Sequence, residues 1–409
     1  MKPGIVDFEH TENAFAYKSD RELKKAELLF AFMRMPLIIK LATAIVPWAI
    51  RAGLPVRVAI RHTIFEQFVG GETMEETAAT AATLSRFNVQ SILDYGVEGK
   101  EDEARFDEAC EIFMRAVRFA ASRPEIPFIS MKITGMARFA LLEKLDAAAN
   151  PESAYTGHCP TEILTPAEQE EWERVVRRMT RITALADEKR VGVLVDAEES
   201  WIQAPIDALT MRMMEKYNRD RAVVYNTVQL YRKGRLSFQE NCFKVACEKG
   251  FVLGIKLVRG AYMEKERARA KTLHIPSPIQ DDKAACDRDY NEALAFAISH
   301  IREMAIIIAT HNEQRIDYAI RRMLAYGLPV NHPHIHFSQL FGMGDNISFN
   351  LAKAGYLVSK YLPFGAVSDV IPYLMRRAEE NSSVAGQTRR ALTLIRKEIR
   401  RRRASQIGK

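Results

Sequence analysis

The sequence predicts an α/β fold, a distorted (βα)8 TIM-type barrel with a helical segment before it and a helical tail after it. Eight short, apolar runs rich in β-branched residues alternate with longer amphipathic stretches. Strands that alternate with helices form parallel sheets, and eight such units close a barrel. The alternative is an open doubly wound sheet, which would place a G-x-G-x-x-G turn after its first strand. That motif is absent from the sequence.

The eight runs lie in the middle and later parts of the chain. The predicted strands are Val89–Tyr95, Phe128–Gly135, Val191–Glu198, Ala222–Gln229, Val252–Tyr262, Ala305–Asn312, Ile335–Phe341 and Gly355–Tyr361. The predicted helices between them include Phe106–Ser122, Ala167–Lys189, Ile206–Tyr217, Ser237–Lys249, Asp282–Met304, Glu313–Tyr326 and Asn346–Ala354. Residues 1–85 are predicted to be helical, because their apolar positions recur at helical spacing. The predicted division is therefore a helical segment 1–85, a barrel 86–384 and a basic helical tail 385–409.

The composition is that of a globular protein that keeps its cysteines reduced. The chain is 47% hydrophobic and 27% charged, so it can bury a large core. The five cysteines are scattered and form no Cys-x-x-Cys pair, which argues against a disulfide framework or a zinc ribbon. No secretory signal opens the sequence, and we expect a cytoplasmic protein.

Two features suggest contact with a membrane surface. The most apolar segment, Leu37–Ile50, has an uncharged run far shorter than the roughly 20 residues of a spanning helix. It is expected to be a buried or docking helix, or a helix that lies on a membrane. The net charge of +7 is concentrated in the tail, between Arg396 and Arg403. That tail is expected to be a solvated helix end or a segment that anionic lipid attracts. Because no aromatic residues are interleaved with its charges, it does not indicate nucleic-acid binding.

Charged residues occur where barrel enzymes place their chemistry, at the C-terminal ends of strands. Lys132, Asp196 and Lys256 lie inside apolar runs, where a charge is costly unless it is paired or serves a ligand. A structural ion-pair network is the alternative, but the recurrence at strand after strand favours a site. His332, His334 and His336 begin the seventh run, and a polar turn entering a strand is preferred there over a metal site.

A second group of polar residues follows the last run. Tyr373, Arg376, Arg377 and Glu380 are spaced to share one helical face. Two adjacent guanidiniums suit a carboxylate, which they bind by charge-assisted and often bidentate hydrogen bonds. A solvated face is the alternative. The two groups together predict a site for a small amino acid beside a large anionic cofactor.

Three segments resemble the signature blocks of the proline dehydrogenases: Lys256–Tyr262, Ala309–Asn312 and Tyr373–Ser383. The resemblance covers roughly Val89 to Ser383 in the right order. It implies a distorted (βα)8 barrel with bound FAD. It also implies oxidation of L-proline to Δ1-pyrroline-5-carboxylate by hydride transfer to the flavin, with electrons passed to a membrane quinone. This reaction is the first step of proline catabolism to glutamate.

The resemblance also implies individual roles. Arg376 and Arg377 would grip the substrate carboxylate with help from Lys132, and Glu380 matches the acid that follows the arginine pair. Asp196 and Tyr262 would shape the site, and Leu340, Tyr361 and Tyr373 would pack on the pyrrolidine ring. The residues that match flavin contacts are Gln229, Lys256, Arg259, Gly260, Ala261, Lys283, His311 and Asn312.

Departures and alternatives follow from the same residues. Lys256 and Arg259 exchange the Arg and Lys of some members, which keeps the charge and changes the planar hydrogen bonding. The length of 409 residues predicts a monofunctional enzyme, with a separate pyrroline-5-carboxylate dehydrogenase downstream. The resemblance also implies a preference for proline over hydroxyproline, because the related hydroxyproline-oxidising group has a smaller residue at the position of Tyr361, which makes room for a ring hydroxyl. A Schiff-base aldolase using Lys132 or Lys256 and a non-enzymatic adaptor are the other hypotheses.

Overall fold

The structure is a computed structural model that describes residues 6–35, 39, 45, 56–95, 101–150, 152–383 and 385–407, without the side chains of 380–387. The described residues fall into two compact units, Met1–Gly96 with Ser338–Lys409 and Val97–Phe337. The predicted division at 85 and 384 stays a prediction. The predicted apolar segment Leu37–Ile50 lies, apart from Ile39 and Ile45, outside the described residues.

Eight strands form a closed barrel in the order of the chain, which confirms the predicted fold class. Neighbouring strands pair in parallel, from β2 with β3 through β5 with β6, and β1 pairs in parallel with β8. The strands are β1 Gln90–Tyr95, β2 Phe128–Met131, β3 Gly192–Val195, β4 Val224–Gln229, β5 Leu253–Val258, β6 Met304–Ala309, β7 Ile335–Leu340 and β8 Val358–Phe364.

Helices precede the barrel, separate its strands and follow it. Before β1 lie Thr11–Ala14, Asp20–Met33, Val56–Ile60, the π-helical turn Arg61–Phe65, Glu66–Phe68 and Met74–Ser85. Between β1 and β8 lie Glu103–Ala121, Phe139–Ala148, Ser153–Thr156, Pro166–Lys189, Gln203–Tyr217, Arg235–Lys249, Met263–Leu273, Lys283–Ser299, Glu313–Ala325 and Asp345–Lys353, and short 3-10 turns at Ile133–Gly135, Thr161–Ile163 and Ser200–Ile202. After β8 come Val367–Ser383 and Ala385–Ile407.

The strand β8 was predicted at Gly355–Tyr361 and is found at Val358–Phe364, so both of its ends are displaced towards the C-terminus. Gly355 has a φ of +91° and turns the chain after the helix Asp345–Lys353, where the Tyr356 amide donates to the Leu351 carbonyl. Such a left-handed residue ends a helix and does not start a strand. Tyr361 therefore lies in the middle of β8 and not at its end.

Two other differences have local causes. The helix predicted at Asp282–Met304 ends at Ser299, because the chain turns at His300 and the Met304 amide donates to the His300 carbonyl. Helices Phe139–Ala148 and Met263–Leu273 were missed. The second carries six charged residues in a short span (Glu264, Lys265, Glu266, Arg267, Arg269 and Lys271) and has only a weak apolar face.

In the first unit, the N-terminal and C-terminal helices share one core. Leu23 and Phe30 of the helix Asp20–Met33 belong to the same buried cluster as Val370 and Leu374 of the helix Val367–Ser383. Ser19 begins the N-terminal helix with a capping box, in which its hydroxyl and the carboxylate of Glu22 each accept a backbone amide. The helix Asp20–Met33 thus supports the helix that carries the predicted arginine pair.

Candidate active site

In the second unit, Asp196 lies between two lysines. It follows β3 directly, and its amide donates to the Met131 carbonyl at 2.9 Å. Its carboxylate hydrogen-bonds the ammonium of Lys256 and lies 3.9 Å from the Nζ atom of Lys132. Lys256 is 4% exposed in β5, and Lys132 follows β2 directly. The structure thus brings together all three charged residues that the sequence singled out, although Lys132 and Asp196 were predicted to lie within their strands.

The polar end of Gln229 is fixed by its neighbours. Gln229 ends β4 and is 2% exposed. Its amide nitrogen donates to the Glu198 carbonyl at 2.9 Å, and its amide oxygen accepts from Arg232 at 3.2 Å. These two hydrogen bonds fix the orientation of the Gln229 side-chain amide, so its oxygen and nitrogen hold defined positions towards a bound ligand.

Glu198 is a functional candidate that the sequence analysis did not single out. It is 3% exposed, and its carboxylate accepts hydrogen bonds from the amide and the hydroxyl of Thr134. Burial raises the pKa of Glu198 to about 7, against the opposing effects of Thr134 and Lys132. A carboxyl group that titrates near neutrality beside predicted site residues is typical of functional sites. Its buried position after β3, two residues past Asp196, was the available signal.

Two of the predicted cofactor residues of the second unit contact the same carboxylate. Asp287, on the helix Lys283–Ser299, lies 3.0 Å from the Nη2 atom of Arg259 and hydrogen-bonds the ammonium of Lys283. Its backbone carbonyl accepts from Arg315, whose amide in turn donates to the side chain of Asn312. Asp287 was not predicted, since an acid inside an amphipathic helix gives no signal of its own.

The turn after β5 requires glycine. Gly260 has a φ of +146°, and a Cβ atom there would lie 2.2 Å from the ring of Tyr231. The Tyr231 amide donates to the Arg259 carbonyl at 2.8 Å, which holds that ring against the turn. The turn continues into exposed Ala261 and half-buried Tyr262, directly before the helix Met263–Leu273.

The second unit offers what an anionic dinucleotide would need. The Nε atom of Arg259 is buried and has no hydrogen-bond partner among the described residues, so it can take an acceptor from outside the chain. Lys256, Arg259 and Lys283 supply positive charge, and Gly260 leaves backbone accessible beside them. The residues that match the flavin contacts therefore fit FAD. His311 is half-buried after β6, where Asn312 caps the helix Glu313–Ala325.

The first unit holds the residues predicted to contact the substrate. Arg377 is 6% exposed, and its guanidinium lies 5.1 Å from the ring centre of Tyr373, one helical turn before it. This distance is typical of a cation–π contact, which orients the guanidinium. Arg376 is half-buried beside it. The predicted helical face is therefore largely buried and not solvated, while the side chain of Glu380 lies outside the described residues.

Leu340 and Tyr361 belong to neighbouring strands of the first unit. Leu340 ends β7 and packs against the core cluster of that unit. Tyr361 is 7% exposed in β8, and its carbonyl accepts from the Phe341 amide at 2.9 Å. The next residue of the loop, Gly342, is held by a hydrogen bond from Gln67 to its carbonyl.

The three histidines do not share one face of a strand. His332 and His334 lie in the turn before β7, and only His336 belongs to the strand. His336 packs edge-on against Phe128 at 5.1 Å, and burial lowers its pKa to about 3. Within the described ranges, no group of three His, Cys, Asp or Glu residues could hold a metal ion.

Comparison with known proteins decides the family. The family model described as proline dehydrogenase matches residues 77–390. The chain belongs to the proline dehydrogenase family. This confirms the family and enzyme class predicted from the signature segments, an oxidoreductase of the proline dehydrogenase type.

Three relatives cover most of the chain. The carbapenem antibiotics biosynthesis protein CarD of Pectobacterium carotovorum is 34% identical over 82% of this chain and 83% of its own. Proline dehydrogenase 1, mitochondrial, of Dictyostelium discoideum is 32% identical over 85% of this chain and 66% of its own. Hydroxyproline dehydrogenase of Xenopus laevis is 32% identical over 95% of this chain and 88% of its own.

A solved structure supports the barrel. Proline utilization A from Bdellovibrio bacteriovorus, inactivated by N-propargylglycine, superposes with a TM-score of 0.66 at 18% identity. The match covers 78% of this chain and 32% of that one, so this chain spans about a third of that protein. At this level of identity the similarity shows the fold alone.

Proposed function

We propose that this proline dehydrogenase family member oxidises L-proline to Δ1-pyrroline-5-carboxylate with FAD as its cofactor. The buried guanidinium of Arg377, oriented by Tyr373, carries the proposal, since it suits the carboxylate of a small amino acid. Arg376 adds a second guanidinium, and Lys132 adds a positive charge held by Asp196. Bound FAD would supply the acceptor for the hydride that leaves the ring carbon beside the proline nitrogen.

In this proposal the residues of the chain bind the substrate and the cofactor and orient them towards each other. Arg376 and Arg377 hold the carboxylate, and Leu340, Tyr361 and Tyr373 provide apolar surface for the pyrrolidine ring. Lys256, Arg259, Gly260, Ala261, Lys283, Gln229, His311 and Asn312 hold the cofactor, and Asp196 and Tyr262 shape the space beside it. Holding two reactants in a productive orientation can lower a barrier by up to about 7–11 kcal/mol.

The visible spectrum of the purified protein tests the proposal. We expect a yellow protein whose flavin bands bleach when proline is added under anaerobic conditions. A colourless protein, or flavin bands that proline leaves unchanged, would contradict it. An aldolase would instead be trapped by borohydride with a carbonyl substrate, but Lys256 is held by the Asp196 carboxylate and is poorly placed to attack a carbonyl.

Proline is proposed over hydroxyproline because of Tyr361. Its side chain is large and buried in β8, and it leaves less room for a hydroxyl on the ring than a smaller residue would. The hydroxyproline dehydrogenase relative makes this the nearest alternative. Comparing kcat/KM for proline and trans-4-hydroxyproline in the same bleaching assay decides between them, and a preference for hydroxyproline would contradict the role of Tyr361.

We propose that the electrons pass to a membrane quinone, with peripheral contact between this cytoplasmic protein and the membrane. Leu28, Phe32 and Met35 lie one helical turn apart and are 60%, 47% and 51% exposed, so they form an apolar stripe at the end of the helix Asp20–Met33. Such a stripe suits the interfacial region of a bilayer. Among the described residues, no helix is long and apolar enough to cross a membrane.

The basic tail is a weaker candidate for that contact. Four of its side chains are paired within the first unit: Arg396 with Glu27, Lys397 with Glu9, Arg401 with Glu398 and Arg402 with Asp20. Charges neutralised in this way contribute less attraction to anionic lipid. The tail therefore serves mainly to hold the N-terminal segment.

Vesicle flotation at low salt tests the contact. The wild type is expected to float with anionic vesicles, and a Leu28→Ser, Phe32→Ser double variant to stay in the soluble fraction. An Arg400→Gln, Arg403→Gln variant, which removes exposed tail charges, serves as the comparison and should still float. A wild type that stays soluble before and after reduction by proline would contradict membrane contact. The product would pass to a pyrroline-5-carboxylate dehydrogenase, which would act downstream in proline catabolism.

A further inference from the structure

Glu198 connects the ends of two strands of the second unit. Its carboxylate accepts the Thr134 amide at 3.1 Å and the Thr134 hydroxyl. Thr134 is the middle residue of the turn Ile133–Gly135, which begins directly after Lys132. The turn is therefore tied to the segment after β3 by the only carboxylate that its amide and hydroxyl reach among the described residues.

Glu198 is itself held firmly in place. Its amide donates to the side chain of Gln203 at 2.7 Å, and its carbonyl accepts from Gln229 at 2.9 Å. Gln203 donates onward to Asp207, which is 1% exposed and also pairs with Arg235 at 2.9 Å. These hydrogen bonds restrict the movement of Glu198 within a buried network, so it can fix the position of a neighbouring loop.

The negative charge of Glu198 has a use beyond the turn. Burying a carboxylate is costly, and a glutamine could accept one bond from Thr134 without that cost. The carboxylate, however, also attracts the ammonium of Lys132. Lys132 is then drawn by two carboxylates, those of Asp196 and Glu198, and its long side chain loses conformational freedom.

We propose that Glu198 is a positioning residue that holds Lys132 ready for the substrate carboxylate, by fixing the turn Ile133–Gly135 and by attracting the ammonium. The proposal rests on the proposed function, in which Lys132 assists the arginine pair. Glu198 itself contacts neither substrate nor cofactor, and it acts through Lys132.

The attraction between the Glu198 carboxylate and Lys132 is expected to weaken at acidic pH. The charged groups that bear on Glu198 are Lys132, from the end of β2, and Glu199, its neighbour in sequence, while burial has the largest effect and raises its pKa to about 7. The carboxylate therefore loses its charge as the pH falls through 7, and its attraction for Lys132 disappears with it. Below pH 7 the KM for proline should therefore rise more steeply in the wild type than in Glu198→Gln, which has no carboxylate to protonate at this position. Titration of proline itself affects both proteins alike and cancels in the comparison.

The test compares three variants of the flavin-loaded protein. Glu198→Gln and Thr134→Val are each expected to raise the KM for proline about tenfold with kcat changed less than twofold, and Thr134→Ser to restore the wild-type KM. Glu198→Gln and Thr134→Val disrupt the same hydrogen bonds. In the double variant, the loss of binding free energy for proline should therefore be smaller than the sum of the losses in the two single variants. Glu171→Gln is the matched control, since it removes a partly buried carboxylate that pairs with Arg138 elsewhere in the unit.

A second measurement follows Lys132 without any substrate. Competitive acetylation of lysines, read by mass spectrometry, should label Lys132 at least threefold more in Glu198→Gln than in the wild type, relative to the surface residue Lys249. Unchanged labelling together with an unchanged KM and pH profile would overturn the role of Glu198. If proline fails to bleach the wild type, the proposed function is wrong, and the labelling still decides whether Glu198 controls Lys132.

Discussion

Replacing Arg377 with methionine is expected to lower kcat/KM for proline by about 30- to 1,000-fold, which corresponds to about 2–4 kcal/mol. Arg377 is 6% exposed, so its guanidinium meets a substrate carboxylate with little competition from water. Methionine keeps the apolar stem against Tyr373 and removes the charge and the hydrogen-bond donors. Most of the loss should appear in KM, because the carboxylate is held in the ground state as well as in the transition state.

Pyrrolidine, which is proline without its carboxylate, provides the decisive comparison. The wild type should oxidise it poorly, and Arg377→Met should oxidise it no worse than the wild type does. Arg321→Met, which removes an exposed arginine paired with Asp317, is the matched control and should leave both substrates unaffected. An Arg377→Met enzyme that loses proline and pyrrolidine activity to the same extent would show that Arg377 supports the fold or the cofactor and not the carboxylate.

The barrel could be predicted because its strands are short, apolar and β-branched while its helices are amphipathic. Runs such as Val252–Tyr262 and Ala305–Asn312 contain the observed strands Leu253–Val258 and Met304–Ala309 almost entirely. The pattern fails where apolar spacing continues through a turn. Ile301 and Met304 extend the periodicity of the helix Lys283–Ser299, although the chain has already turned at His300.

The site could be predicted only as far as charge in apolar surroundings reveals it. Lys132, Asp196 and Lys256 stood out for that reason, and the structure brings them together. Glu198 and Asp287 could not be recognised, because each is one acid among several until the fold shows what it contacts. The family and the enzyme class came from the signature segments, which the family comparison confirms. The individual roles of the site residues stay predictions.

Lys360 makes the first unit sensitive to the loss of a single carboxylate. Its ammonium is fully buried in β8 and donates to the Met343 carbonyl at 2.6 Å, with Asp345 at 2.8 Å. Tyr17 donates to the other oxygen of Asp345 at 2.8 Å, so the N-terminal segment takes part in the same cluster. Burial alone would raise the pKa of Asp345, but the charges of Lys360 and Lys18 and the hydrogen bonds from Lys360 and Tyr17 hold it below its usual range.

Asp345→Ala is therefore expected to lower the free energy of unfolding by about 3–5 kcal/mol, because it leaves a buried ammonium without its counter-ion. Urea denaturation followed by circular dichroism measures the change, and Asp317→Ala, at an exposed ion pair, should cost less than about 1 kcal/mol. Adding Lys360→Met to Asp345→Ala should recover much of the loss, since it removes the uncompensated charge. The wild type should also lose this contribution as the pH falls through the depressed pKa of Asp345, whereas Asp345→Ala should not. A double variant as unstable as Asp345→Ala alone would show that packing of the Asp345 side chain, and not the buried charge of Lys360, sets the stability of this cluster.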